Sequence, residues 1–263
     1  MQLVDSLEVS GVESNMKAFY LTDPGKVRTH NEDSVTVVRN NNEEYLLIVA
    51  DGMGGHRAGE VASSLAVTHL GKRFQDISSI GSKLDAVNWL NDNVNEVNRQ
   101  IIEYANKYPD SKGMGTTIVL ALLTKSFLIF GNIGDSSGYV LKNDTLHKVT
   151  KDHTLVNLLV AAGDLTEEEA QFHPKKNVLM KALGSTEKCE LDIFDVDIEV
   201  DAILLCSDGL TTMISKEQIE KVLMDETLTT EEKIIKMIRK SNARGGTDNI
   251  SIAYLIREEG DTK

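Results

Sequence analysis

The sequence predicts an α+β domain in which strands buried on both faces alternate with amphipathic helices, and in which one helical flap is inserted between strands. Three observations carry this. Short apolar runs such as Tyr45–Ala50 (YLLIVA), Thr117–Leu123 and Ala202–Cys206 recur along the chain, and such runs bounded by turn residues mark strands covered on two sides. Between them stand segments with apolar residues at helical spacing. One stretch, about 151–184, has no strand pattern.

Taken in order, residues 1–15 show no clear periodicity, and Met16 could be the natural start. They are read as a disordered or expression-derived lead, and 16–263 as a single domain. Ser34–Val38 is a short strand with β-branched residues, and Tyr45–Ala50 follows it. Ala58–Phe74 carries Val61, Ala62, Leu65, Ala66 and Leu70 on one stripe. Leu84–Ala105 repeats the pattern at Val87, Leu90, Val94, Val97 and Ile101. Thr117–Leu123, Phe127–Asn132 and Gly138–Leu141 are three more strands. In the flap, Thr154–Ala162 is a helix stopped by Gly163, and Thr166-x-x-Glu169 caps a second. Strands Ala202–Cys206 and Ile250–Ile256 enclose two helices opened by Ser215-x-x-Gln218 and Thr229-x-x-Glu232.

Composition narrows the function. The 263 residues carry 28 Lys and Arg against 41 Asp and Glu, a net charge of −13. Such a surface repels phosphate backbones, so nucleic acid is not an expected partner. The longest unbroken apolar run, Ile118–Leu123, is far short of the roughly 18 residues a membrane span needs. No secretory signal is readable at the N-terminus. Cys189 and Cys206 are the only cysteines, without a CxxC, and are read as buried free thiols. These features point to the cytoplasm.

The informative feature is where the aspartates fall. Tyr45–Ala50 ends in Asp51-Gly52-Met53-Gly54-Gly55-His56, and Ala202–Cys206 ends in Ser207-Asp208-Gly209. Phe127–Asn132 is followed by Gly134-Asp135-Ser136, while Asp33 and Asp248 immediately precede strands. Five strands therefore carry an aspartate at one end. Gathered at one rim, five carboxylates would repel one another and resist desolvation. A cluster of hard divalent cations, Mg²⁺ or Mn²⁺, is the simplest neutraliser of an oxygen-only donor set. A lone Asp-Gly is an ordinary turn dipeptide, but two at matching strand ends, with Gly-Asp-Ser and Thr-Asp-Asn beside them, are not explained that way.

Read in order, Gly25–Asp33 (GKVRTHNED), Asp51–His56, Gly115-Thr116-Thr117, Gly134-Asp135-Ser136, Asp152-His153, Ser207-Asp208-Gly209 and Gly246-Thr247-Asp248-Asn249 resemble the metal-dependent Ser/Thr protein phosphatases (PPM, or type 2C) in their compact bacterial form. The resemblance runs over roughly residues 17–257. It implies a four-layer α/β/β/α sandwich and hydrolysis of phosphoserine and phosphothreonine by a water activated between two metals. By motif, Asp51 would bridge the metals with the Gly52 carbonyl completing one of them. Asp33, Asp208 and Asp248 would supply the other protein ligands, and Glu32 would border them. Arg28 matches the family's phosphate-holding arginine, and His56 is the candidate general acid for the departing Ser or Thr oxygen. Asp135 resembles a ligand of a third, weaker metal. Arg28 and His56 could also be an ordinary surface arginine and a loop histidine bonded to backbone, and Asp135 a turn residue. His153 is read as structural, and His30, His69, His147 and His173 as surface or satisfied polar residues.

The family's usual Gly-Asp-Ser-Arg ends here in Ser137, which puts local packing or a third metal in doubt. The resemblance further implies phosphorylated protein substrates and a membrane Ser/Thr kinase as partner, and a monomer is expected. A catalytically silent module with this fold would have lost one of Asp33, Asp51, Asp208 or Asp248, and none is lost. Small phosphate esters as substrates stay open.

Overall fold

A computed structural model describes residues 16–55 and 57–257, so the lead at 1–15 and His56 lie outside the described residues. The chain opens with strands β1 (Met16–Asp23), β2 (Asp33–Arg39) and β3 (Tyr45–Met53), then helices α1 (Ala58–Asp76) and α2 (Lys83–Lys107). Strands β4 (Gly115–Thr116), β5 (Ile118–Leu123), β6 (Leu128–Ile133), β7 (Ser137–Lys142) and β8 (Thr145–Lys148) follow. Two short helices, α3 (Leu155–Ala162) and α4 (Glu167–Phe172), separate β8 from β9 (Asp192–Val196). The chain closes with β10 (Ala202–Cys206), α5 (Asp208–Thr211), α6 (Lys216–Leu223), α7 (Thr230–Ala243) and β11 (Ile250–Arg257).

The strands form two antiparallel sheets, one ordered β1-β11-β10-β7-β8 and the other β2-β3-β5-β6-β9, with β4 paired to β3. Side chains alternate across each strand, and here both faces are covered. On β3, Leu46, Ile48 and Ala50 pack with Leu70 and Phe74 of α1 and Leu90 and Val94 of α2. Leu47 and Val49 point the other way, against Ile203 and Leu205 of β10 and Ala253 and Leu255 of β11. On β10, Leu204 and Cys206 meet Ile219 and Val222 of α6 and Ile234 and Met237 of α7. Three apolar layers thus separate four layers of structure, the α/β/β/α order that the resemblance implies. The continuous run YLLIVA has no polar face because both of its faces are core.

Besides the two-residue β4, the strands not legible in the sequence are β1, β8 and β9, and these three share a reason. All three lie at sheet edges, and edge strands carry charge that protects them from pairing with other chains. In β9 the apolar positions Ile193, Phe194 and Val196 are interrupted by Asp192 before them and Asp195 among them. In β8 only Leu146 is buried. β1 alternates Phe19 and Leu21 towards the helices with Tyr20 towards the other sheet, and Lys17 and Thr22 break its apolar run.

Within 151–184, Thr154 caps α3 by accepting from the Asn157 N–H, and Gly163 ends it at φ 82°. A Thr166–Glu169 capping box opens α4. Single bridges join Thr154 to Leu179 and Thr116 to Leu183.

Phe130 is fully buried in the layer between the sheets. Phe130→Ala is expected to cost about 3–5 kcal/mol in urea unfolding; a loss below about 1 kcal/mol would show that this layer is not the core it looks to be.

Candidate metal centre

The β2–β3 register places Asp33 directly opposite Asp51. Asp33 is buried, and the Ser207 hydroxyl donates to its Oδ2 at 2.7 Å. Ser207 Oγ also accepts from the Ser251 N–H at 2.9 Å, so one hydroxyl ties the rim of one sheet to the rim of the other. Asp208 opens α5, one residue further on. Asp248 precedes β11, and its Oδ1 accepts from the Asn249 N–H at 2.9 Å. Asn249 in turn accepts from the Glu32 N–H at 2.8 Å and donates to the carbonyls of Pro24 at 3.0 Å and His30 at 2.9 Å. The segment 24–32, with Arg28 on it, is therefore pinned to β11.

Gly115-Thr116-Thr117 holds Asp51. The Thr117 hydroxyl accepts from the Asp51 N–H at 3.0 Å, while the Thr117 N–H at 2.8 Å and the Thr116 hydroxyl at 2.9 Å both donate to the Asp51 carbonyl. Thr117 Oγ1 lies 2.8 Å from the Ser136 hydroxyl, which brings the Gly134-Asp135-Ser136 turn alongside. Asp51 is thus fixed through its backbone by neutral donors and acceptors, and its carboxyl shares a hydrogen bond with that of Asp33.

The glycines after Asp51 and Asp208 serve space. Neither has the positive φ that would demand glycine. A Cβ on Gly52 would strike the carbonyl oxygens of Gly59 and Glu32, and one on Gly209 would strike the carbonyl of Asn249. Backbone from three segments crosses here too closely for any side chain.

Electrostatics show the convergence most directly. Burial raises the Asp51 carboxyl well above its ordinary range, and Asp33, Asp208, Asp135 and Asp248 push it further. Asp33 is raised to about 6, by burial first and against the opposing hydrogen bond from Ser207. Asp208 is raised to about 7 by burial, then by Asp135, Asp248 and Asp33, with Arg28 pulling the other way. Asp135 is raised by burial and by Asp152. Burial also raises Glu32, opposed by Arg28 and His30.

The carboxylates lean on one another without closing into a cage. Among the described residues, no three His, Cys, Asp or Glu side chains stand close enough to hold one ion between them. The donor set nevertheless suits a hard divalent cation. It is all oxygen and strongly negative, and the buried Asp33 Oδ1 and Asp208 Oδ1 have no hydrogen-bond partner, a costly state that a cation would relieve.

Arg28 is half exposed and paired with Asp248, Nη2 to Oδ2 2.8 Å. His153 accepts from the Gly134 N–H at Nδ1, 3.0 Å, and its Nε2 lies 3.0 Å from Asp192 Oδ2. It braces the turn that carries Asp135, in keeping with a structural role. Ser137 is buried on β7 opposite Cys206. The two thiols are free, but only Cys206 is buried and Cys189 is half-buried, against the expectation of two buried ones. Burial pushes Cys206 up to about 12 and Cys189 up to about 11. Sequence reasoning assigned no role to Ser207, Asn249 or Asp192. The first two sit inside motifs already noticed, whereas Asp192 gives no local signal because its partner His153 is remote in sequence.

A two-sheet β-sandwich with acids at one rim and an arginine paired to one of them defines an enzyme of the protein-phosphatase class. A family model described as Protein phosphatase 2C matches residues 26–245, and the chain belongs to that family. It is 43% identical over 243 residues to the serine/threonine phosphatase stp of Listeria welshimeri, covering 92% of this chain and 96% of that one. The Streptococcus agalactiae serine/threonine phosphatase superposes with a TM-score of 0.87 at 38% identity, over 92% of this chain and all of that one (100%). The catalytic domain of the serine/threonine protein phosphatase PstP, solved in complex with two manganese ions, superposes with a TM-score of 0.78 at 34% identity, over 93% and 99% of the two chains.

A carboxyl whose pKa is raised on folding favours the folded state below its unfolded pKa and loses that advantage as pH rises through the folded one. For Asp208 the window runs from 3.8 to about 7. In chelator, Asp208→Asn is expected to melt at a higher temperature than the parent at pH 8, and the gap should close towards pH 4. Thermal melts across pH test this, and a variant less stable than the parent at pH 8 would contradict it.

Proposed function

We propose that this chain hydrolyses phosphoserine and phosphothreonine in proteins, using two hard divalent cations, manganese or magnesium, and counteracts a membrane Ser/Thr kinase of the same cell. The observation that carries the reading is the set of five aspartates from both sheets, in which Asp33, Asp135, Asp208 and Asp248 all raise the pKa of Asp51. Asp51 would bridge the cations, and the Gly52 carbonyl, Asp33, Asp208 and Asp248 would complete the protein's ligands. Glu32 would border that set and Asp135 would serve a third, weaker ion. PstP was crystallised with two manganese ions, and the oxygen-only donor set here suits the same kind of ion. When bound, such cations lower the pKa of a shared water and offset charge on the phosphoryl oxygens.

The chain's own groups do the rest. Arg28 presents a planar guanidinium that can take two phosphoryl oxygens, and its pair with Asp248 keeps the head of the side chain over the rim. Thr116, Thr117 and Ser207 hold the acids still, so little reorganisation accompanies the attack on phosphorus. His56 follows the Asp51 loop in sequence and delivers a proton to the departing Ser or Thr oxygen. The net charge of −13 disfavours nucleic acid. No helix among the described residues is long and apolar enough to cross a membrane, and the enzyme acts in the cytoplasm as a monomer.

Chelator-stripped protein is expected to leave a phosphothreonine peptide intact and to release phosphate once Mn²⁺ is restored; turnover at full rate in chelator would end this reading. Asp51→Ala should lose Mn²⁺ uptake in calorimetry and lower activity by orders of magnitude while keeping its circular-dichroism spectrum. His56→Ala should slow phosphoserine, with its poor leaving group, more than p-nitrophenyl phosphate. A uniform loss on both would remove His56 from proton delivery.

A further inference from the structure

Beside the carboxylate rim lies a cleft of about 470 Å³, within the ~300–1,000 Å³ span of ligand sites. Thr22, Pro24, His30 and Asn31 form one wall, and Arg57 and Glu60 at the start of α1 form the other. The cleft adjoins the site on two sides. His30 and Asn31 fall between Arg28 and Glu32 in the chain. One turn beyond Glu60, the Ser63 hydroxyl donates to the Glu32 carbonyl at 2.6 Å.

The first wall is rigid without any ligand. Asn249 holds the carbonyls of Pro24 and His30, and Asn31 Nδ2 donates to Thr22 Oγ1 at 2.8 Å. The side chains facing the opening are uncommitted. Those of His30, Arg57 and Glu60 are exposed, and none makes a side-chain hydrogen bond or ion pair among the described residues, although His30 and Glu60 lie within electrostatic reach of Glu32. Two of the three are bases, on a protein whose net charge is −13. Arg57 in particular is a guanidinium with no carboxylate of its own, whereas Arg28 already has Asp248.

We propose that this cleft receives the polypeptide next to the phosphorylated residue, and that Arg57 selects substrates bearing an anionic group there, a carboxylate or a second phosphate. The inference rests on the phosphatase reading. Glu60 on the same wall opposes the selection and sets its limit, so the two residues act in opposite directions.

The test compares kcat/KM of the full chain with Mn²⁺ on phosphothreonine peptides flanked by Asp, a non-hydrolysable phosphonate, Ala or Lys, with p-nitrophenyl phosphate as the flank-free substrate. The parent is expected to favour anionic flanks about two- to five-fold, the range an exposed ion pair supplies. The Asp and phosphonate arms tell a carboxylate from a phosphate. Arg57→Ala should abolish the preference while leaving p-nitrophenyl phosphate and the Ala-flanked peptide unchanged, and Glu60→Gln should widen it. A parent indifferent to the flank, or an Arg57→Ala variant equally slowed on every substrate, overturns the cleft assignment alone. A parent that cleaves none of the phosphopeptides overturns the phosphatase reading and the cleft with it.

Discussion

The structure is organised around a repulsion. Five aspartates sit at one rim between two sheets, and burial together with their mutual charge holds several of them well above the ordinary carboxylate range. Left to relax, side chains so arranged would turn outward to water, since removing a charge from solvent without a partner is among the costliest changes a fold can make. They are held by groups that do not neutralise them. Ser207, Thr116, Thr117 and Asn249 fix the positions of Asp33, Asp51 and Glu32 through neutral hydrogen bonds. The carboxyl oxygens thereby stay available to a cation, which would take the place of the protons that the raised pKa values retain.

Holding that rim requires a scaffold that does not yield. Two sheets with helices on both outer faces provide three apolar layers, and every strand that delivers an aspartate runs through at least one of them. Asp33 and Asp51 come from neighbouring strands of one sheet, and Asp208 and Asp248 flank neighbouring strands of the other. The site therefore exists only where the sheets meet. Ser207 and Asn249, which cross between them, couple the relative placement of the sheets to the placement of the acids. A shift of one sheet on the other cannot leave the rim intact.

Much of this was legible in the sequence. Strands covered on both faces lose the alternation of polar residues, so YLLIVA and AILLC show as unbroken apolar runs. The acids were legible because each interrupts or bounds such a run. What stayed hidden depended on partners far away in the chain. The edge strands β8 and β9 look like polar connections, because an edge needs charge more than it needs hydrophobicity. Glu44 lies between the predicted strands Ser34–Val38 and Tyr45–Ala50 and drew no attention there, yet it is buried and accepts from Asn40, Ser79 and the Ile80 N–H, stitching the β2–β3 turn to the α1–α2 connection. The meaning of Gly52 and Gly209 was visible only in part: the residue type was plain, but the carbonyls that crowd it come from Glu32, Gly59 and Asn249.

The motif residues accordingly divide by the kind of information they carry. Charged ones such as Asp51 and Asp208 announce chemistry by type, because a carboxylate at the end of a buried strand has few other uses. Neutral ones such as Thr117, Ser207 and Asn249 are unremarkable by type and acquire meaning only from geometry, where each satisfies two or three backbone or side-chain groups at once. Substituting a charged member removes a function and relieves repulsion, so the metal-free fold should tolerate it. Substituting a neutral member strands buried donors and acceptors, each worth about 1–3 kcal/mol, and frees the acids to move apart. Precision at this rim therefore resides in residues that never touch a substrate, and the acids supply only the charge that they hold in place.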